Sequence, residues 1–101
     1  MADYDVIVIG AGLGGLSTAS LCAHSGMKTL VLEQADEIGG CCSTFEMEGY
    51  RFDVGASIVE ILQPMEKLFS LMGGKSPRDY MELVPCDPIY SFITEDGRRF
   101  S

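Results

Sequence analysis

From Val6 to Glu33 the chain runs VIVIGAGLGGLSTASLCAHSGMKTLVLE, and the architecture of the whole follows from this stretch. Asp5-Val-Ile-Val-Ile9 is a short apolar run rich in β-branched residues and reads as a buried strand. Gly10-x-Gly12-x-x-Gly15 follows, then a helix-like run closed by Gly26 as a C-cap, then a second strand from Lys28 to Leu32 and an acid at Glu33. Each part answers a need of one kind of ligand. Gly10 lets the chain turn sharply out of the strand, Gly12 lacks the Cβ that would hold the backbone away from a pyrophosphate, and Gly15 lets helix and strand pack closely. The pyrophosphate would face the free N–H groups and positive dipole end of the helix, while Glu33 would accept hydrogen bonds from a ribose diol. The glycine spacing alone is weak in a chain with 12 glycines, and its context makes it specific. Glu33 lies 23 residues past Gly10, close to the usual interval of about 20, and no arginine follows nearby to neutralise a 2′-phosphate, which weighs against NADP.

Bulk properties exclude several other classes. A length of 101 residues is about one small domain or a piece of a larger one, and 47% hydrophobic with 22% charged residues is the composition of a folded chain. The net charge of −8 argues against nucleic acid, because phosphate neutralisation needs clustered Lys and Arg. The 22 residues from Val6 to Met27 carry no formal charge, which raises a membrane-span or signal-peptide reading. Asp3 and Asp5 stand where a signal peptide carries positive charge, and glycines with Ser17, Thr18, Ser20 and His24 dilute the run below a spanning helix. Cys22, Cys41, Cys42 and Cys86 lack the spacing of a structural zinc site, and His24 does not complete one, so no metal is expected. They read as free thiols in a cytoplasmic setting. Adjacent cysteines bridge only with strained geometry, so Cys41 and Cys42 read as packing residues. His24 reads as a surface residue complementing the helix dipole.

Beyond Glu33, a polar connection from Gln34 ends in Gly39-Gly40. Ser43 to Asp53 alternates as a hairpin around Glu48-Gly49. Ile61, Leu62, Met65, Leu68, Phe69 and Met72 share one helical face, with Pro64 in the first turn and Gly73-Gly74 ending the run. Lys75 to Asp79 is a Ser-Pro loop. Met81 to Phe100 reads as strands, with Pro85 and Pro88 confining pairing to edges and Asp96-Gly97 turning a hairpin.

Gly10-Ala-Gly-Leu-Gly-Gly15-Leu, Val31-Leu-Glu33, Ile38-Gly-Gly40 and Tyr50-Arg-Phe-Asp-Val-Gly55 together resemble the start of the FAD-dependent phytoene desaturase, carotenoid isomerase and retinol saturase family, within the amine-oxidase-like flavoproteins. The similarity runs from about residue 3 to about residue 60. It implies that Gly10, Gly12, Gly14 and Gly15 surround the FAD pyrophosphate, that Glu33 takes the adenosine ribose, and that Gly39 and Gly40 line the next stretch of cofactor. Gly55 and Ser57 fall in the segment that approaches the flavin in this family. Many members carry an arginine after the glycine pair. Cys41-Cys42-Ser43 stands here instead, which resembles the isomerase and saturase branch.

The resemblance implies an α/β chain: a Rossmann-like βαβ FAD-binding fold with a β-hairpin, then the start of an antiparallel β substrate-domain segment. Residues 1–80 would be the N-terminal part of the FAD-binding domain and residues 81–101 the beginning of the β-rich segment, both incomplete. The implied activity is flavin-dependent oxidoreduction of a small hydrophobic, polyene or lipid-like substrate by the full-length protein, with the catalytic residues in missing C-terminal chain and the 101-residue piece inactive alone. Such a substrate is compatible with peripheral membrane contact. Two alternatives stand beside it. A non-catalytic GTPase-binding protein on the same scaffold, like the Rab GDP-dissociation inhibitors, is disfavoured by intact glycines and Glu33. A stand-alone NAD-binding module is disfavoured by Gly39-Gly40.

Overall fold

Four apolar residues with β-branching at Val6, Ile7, Val8 and Ile9 favour an extended backbone, and in the computed structural model, which describes residues 1–101, they form β1 (Val6–Ile9). It pairs in parallel with β2 (Thr29–Leu32), Val6 opposite Thr29 and Ile9 opposite Leu32. Between them α1 (Leu13–His24) crosses over and packs on both strands. Asp5 fixes the register at the entry end. Its N–H donates to the Lys28 carbonyl at 2.8 Å while its Oδ2 accepts the Lys28 N–H at 2.8 Å. At the exit end Gly10 N–H donates to the Leu32 carbonyl at 2.7 Å. Ser25 caps α1, and Gly26 follows with φ +90°, a left-handed turn that a side chain would oppose.

The next unit is a hairpin of β3 (Thr44–Met47) and β4 (Tyr50–Asp53), antiparallel, with Phe45 stacked on Phe52 at 5.2 Å between ring centroids. Glu48 and Gly49 both have positive φ, 53° and 80°, which gives the turn a twist that matches the strands. Two bonds carry the hairpin back toward the first unit: Val54 N–H to the Ser43 carbonyl and Ala56 N–H to the Cys41 carbonyl, each 2.9 Å. α2 (Gln63–Leu71) has Pro64 in its first turn, where a missing N–H costs nothing, and Gly73 leaves it at φ +63°. Ser76 and Asp79 then cap a 3-10 turn reciprocally, with Pro77 buried and Phe69 against Tyr80 at 5.4 Å.

The C-terminal part holds less strand than its sequence promises. Only β5 (Phe92–Ile93) and β6 (Arg99–Phe100) pair, antiparallel, around Gly97 at φ +82°. Residues 81–91 form no strand, contrary to the expectation for Met81 to Phe100. Pro85 and Pro88 each remove an N–H donor, and no strand lies alongside to accept the rest.

All three sheets are two-stranded, and the consequence is an open molecule. The Cα radius of gyration is 18.3 Å, against about 13 Å for a compact chain of this length. Only Ala11, Ala19 and Pro77 are buried. Val6 and Val8 are half-buried, whereas Ile7 and Ile9, on alternate positions, are 56% and 86% exposed. A parallel sheet is normally covered on both faces, and here one face is bare. Leu13, Leu16, Met65, Leu68, Phe69 and Met72 line a cleft of about 710 Å³ between the two helices. No helix is long and apolar enough to cross a membrane.

So much uncovered apolar surface predicts behaviour for the 101-residue chain on its own. It should bind a hydrophobic dye strongly and unfold over a broad range of urea, read by circular dichroism. A sharp cooperative transition without dye binding would contradict this reading of the surface.

Candidate dinucleotide-binding site

The loop from Gly10 to Gly12 leaves β1 through a left-handed residue, Gly10 at φ +99°, and enters α1 through an extended one, Gly12. Gly15 is the tightest point. A Cβ there would lie 1.8 Å from the Gly10 carbonyl oxygen, so only glycine lets the first turn of α1 sit on the loop that feeds it. Gly14 has open space around it. The helix begins with no side-chain cap and no acid in its first turn. The N–H groups of Leu13, Gly14 and Gly15 therefore have no partner within the helix, and they combine with the dipole into an end suited to an anion. A pyrophosphate fits this donor set: it brings acceptors and negative charge to a helix end that offers donors alone.

Glu33 stands where β2 ends. Its Oε2 accepts the Ala11 N–H at 2.6 Å and its Oε1 accepts the Ala35 N–H at 3.0 Å. The Ala35 and Ala11 amides hold its carboxyl below the usual carboxylate range, because both bonds favour the ionised form. The stabilisation from a lowered acid is complete above the usual range and is lost as pH falls through the lowered value. An ionised carboxylate has about four acceptor positions, so two amides leave room for a diol.

Gly39 and Gly40 close the third side. Gly39 N–H donates to the Ala11 carbonyl at 2.7 Å, Gly12 and Gly39 pair in parallel, and a Cβ on Gly40 would stand 3.2 Å from the Gly12 Cα. Gly39 itself has φ +111°. Cys41 and Cys42 continue this strand-like approach in a 3-10 turn, exposed and unbridged. Gly55 is drawn in through Cys41: a Cβ on Gly55 would meet the Cys41 carbonyl oxygen at 3.1 Å. Ser57 is exposed and makes no hydrogen bond to the cradle. Gly10, Gly12, Gly14, Gly15, Glu33, Gly39 and Gly40 thus converge and Gly55 adjoins them, while Ser57 follows Ala56, whose N–H donates to the Cys41 carbonyl at 2.9 Å. Ala11 is the residue that motif reading passes over. It is 1% exposed and joins all three segments, and its only sequence signal is a small side chain between two glycines.

The family described as NAD(P)-binding Rossmann-like domain matches residues 8–73, which contain this cradle. A carotenoid 3,4-desaturase of Haloarcula japonica is 41% identical over 97 residues, 96% of this chain and 19% of the relative. An all-trans-retinol 13,14-reductase of Danio rerio is 57% identical over 53 residues, 52% of this chain and 9% of the relative. Among solved structures, a CLA-producing fatty acid isomerase from P. acnes matches with a TM-score of 0.53 at 28% identity, over 72% of this chain and 18% of that one. The chain spans less than a fifth of the length of each of these proteins.

The two neighbouring glycines of α1 should respond oppositely to one methyl group. Gly15→Ala should destabilise the full-length protein by about 3 kcal/mol or more, because backbone must move. Gly14→Ala, with nothing in its way, should stabilise by roughly 0.5–1 kcal/mol through helix propensity. Urea midpoints of the two variants check this, and equal tolerance would contradict the close packing at Gly15.

Proposed function

This chain belongs to the NAD(P)-binding Rossmann-like domain family, and from that premise we propose that its cradle holds the ADP moiety of FAD in a flavin-dependent oxidoreductase acting on a hydrophobic polyene or lipid-like substrate. The observation that carries the choice of FAD is the pairing of Gly12 with Gly39, which brings the Gly39-Gly40 pair to the pyrophosphate end of the site. A plain nicotinamide cradle needs no such second glycine pair. In this reading the N–H groups of Leu13, Gly14 and Gly15 take the pyrophosphate, Glu33 takes the ribose, and Gly39 and Gly40 leave backbone room for the cofactor to continue.

The substrate class is supported by the company the sequence keeps: its relatives are named for a carotenoid, for all-trans-retinol and for a fatty acid. FAD, when bound, supplies hydride chemistry that no side chain of the cradle could perform. The residues here bind and orient. Residues 1–80 serve the cofactor, and residues 81–101 begin the part that faces substrate. Desaturation, isomerisation and saturation share this binding end, so the cradle is common to all three.

The full-length protein, purified, should be yellow with an absorption band at about 450 nm, as expected for bound flavin. A colourless protein that FAD cannot reconstitute would overturn the proposal.

A further inference from the structure

The end of β2 and the Gly39 segment both meet the first loop at Ala11, 22 residues before Glu33. Its N–H is held by Glu33 Oε2 at 2.6 Å, its carbonyl holds the Gly39 N–H at 2.7 Å, and the second oxygen of Glu33 holds the Ala35 N–H at 3.0 Å. Every one of these bonds lies within the protein. A carboxylate serving a ribose alone would need neither of the two that Glu33 accepts. An acceptor removed from a nearly inaccessible amide leaves that amide unpaired, and the chain around it shifts to find another partner. At Ala11 that shift would move both Gly10–Gly12 and, through the carbonyl, Gly39–Gly40.

We infer that Glu33 is a positioning residue for the pyrophosphate end of the site, acting through Ala11, in addition to accepting the ribose. The inference rests on the dinucleotide reading above. It separates two effects of one side chain: a direct bond to the diol, and the alignment of the loop whose helix meets the phosphates. Only the second survives when the ligand has no diol. Glutamine keeps one acceptor oxygen, enough for the Ala11 N–H, while its NH₂ cannot replace the bond to Ala35.

The test uses the full-length protein freed of flavin, with ADP and 2′,3′-dideoxy-ADP as calorimetric ligands for the wild type, Glu33→Ala and Glu33→Gln. Glu33→Ala should weaken ADP about thirty-fold and the dideoxy ligand about five-fold, with Glu33→Gln restoring most of the latter. Amide hydrogen exchange should quicken at Ala11 and Gly39 and stay unchanged in β1 and β2, which also reports that the variant remains folded. If the alanine variant unfolds, the glutamine variant carries the comparison: Ala11 should stay protected with dideoxy-ADP affinity near wild type, and exchange quickened at Ala11 with no loss of dideoxy-ADP affinity would overturn the positioning role. In Glu33→Ala, dideoxy-ADP affinity within two-fold of wild type, alongside weakened ADP, would overturn the positioning role and leave Glu33 as a ribose acceptor alone. A wild-type protein that binds neither nucleotide would remove the dinucleotide reading itself, which is a different failure.

Discussion

The hydrogen bond from the Ala11 amide to Glu33 Oε2 spans 22 residues of chain and ties the first loop of the molecule to the end of its second strand. Much else in the N-terminal unit depends on it. The βαβ crossover brings the two strand ends together, but a strand pair alone leaves the loop after β1 free to choose a path. Glu33 removes that freedom, and the Ala11 carbonyl then sets the position of Gly39. The glycines matter because of this convergence. Gly15 must lack a Cβ for α1 to sit on Gly10, and Gly40 lies within a methyl group's reach of Gly12. Backbone is packed against backbone, and the side chains have been stripped from the place where a ligand's phosphates would approach.

The rest of the chain is organised by the opposite condition. Away from the cradle, apolar side chains outnumber the surfaces available to cover them, and large residues such as Ile9, Val84 and Ile93 are mostly exposed. The hydrogen-bonded cradle is therefore better determined than the layers around it. Local turns and backbone pairing give each small unit its shape, while the burial that would normally supply most of the stability is nearly absent. The site and its support thus draw on different forces: directional bonds at Ala11 and Glu33, and apolar area elsewhere.

This division also explains what could be read in the sequence. The strand, helix and hairpin positions were legible because each depends on neighbours in the chain: β-branched runs for β1, Gly26 after α1, Glu48-Gly49 between β3 and β4. The cradle glycines were legible because their spacing expresses a steric need. The strands expected between Met81 and Ser91 did not form, since strand formation requires a partner that composition cannot supply. Ala11 was invisible for a related reason. Its importance lies in two backbone groups, and backbone groups are the same at every position. The dual engagement of Glu33 was hidden too, because the motif reports where an acid stands and says nothing of the amides it meets first.

The proposed function places a dinucleotide against the start of α1, framed by the Ala11 junction. A crystal structure of the full-length protein with ADP tests it most directly. Pyrophosphate oxygens should lie within hydrogen-bond distance of the Gly14 or Gly15 N–H, with the ribose diol on Glu33 and the Ala11 bond to Glu33 still in place. Nucleotide bound elsewhere, or bound here with the phosphates turned away from α1, would contradict it.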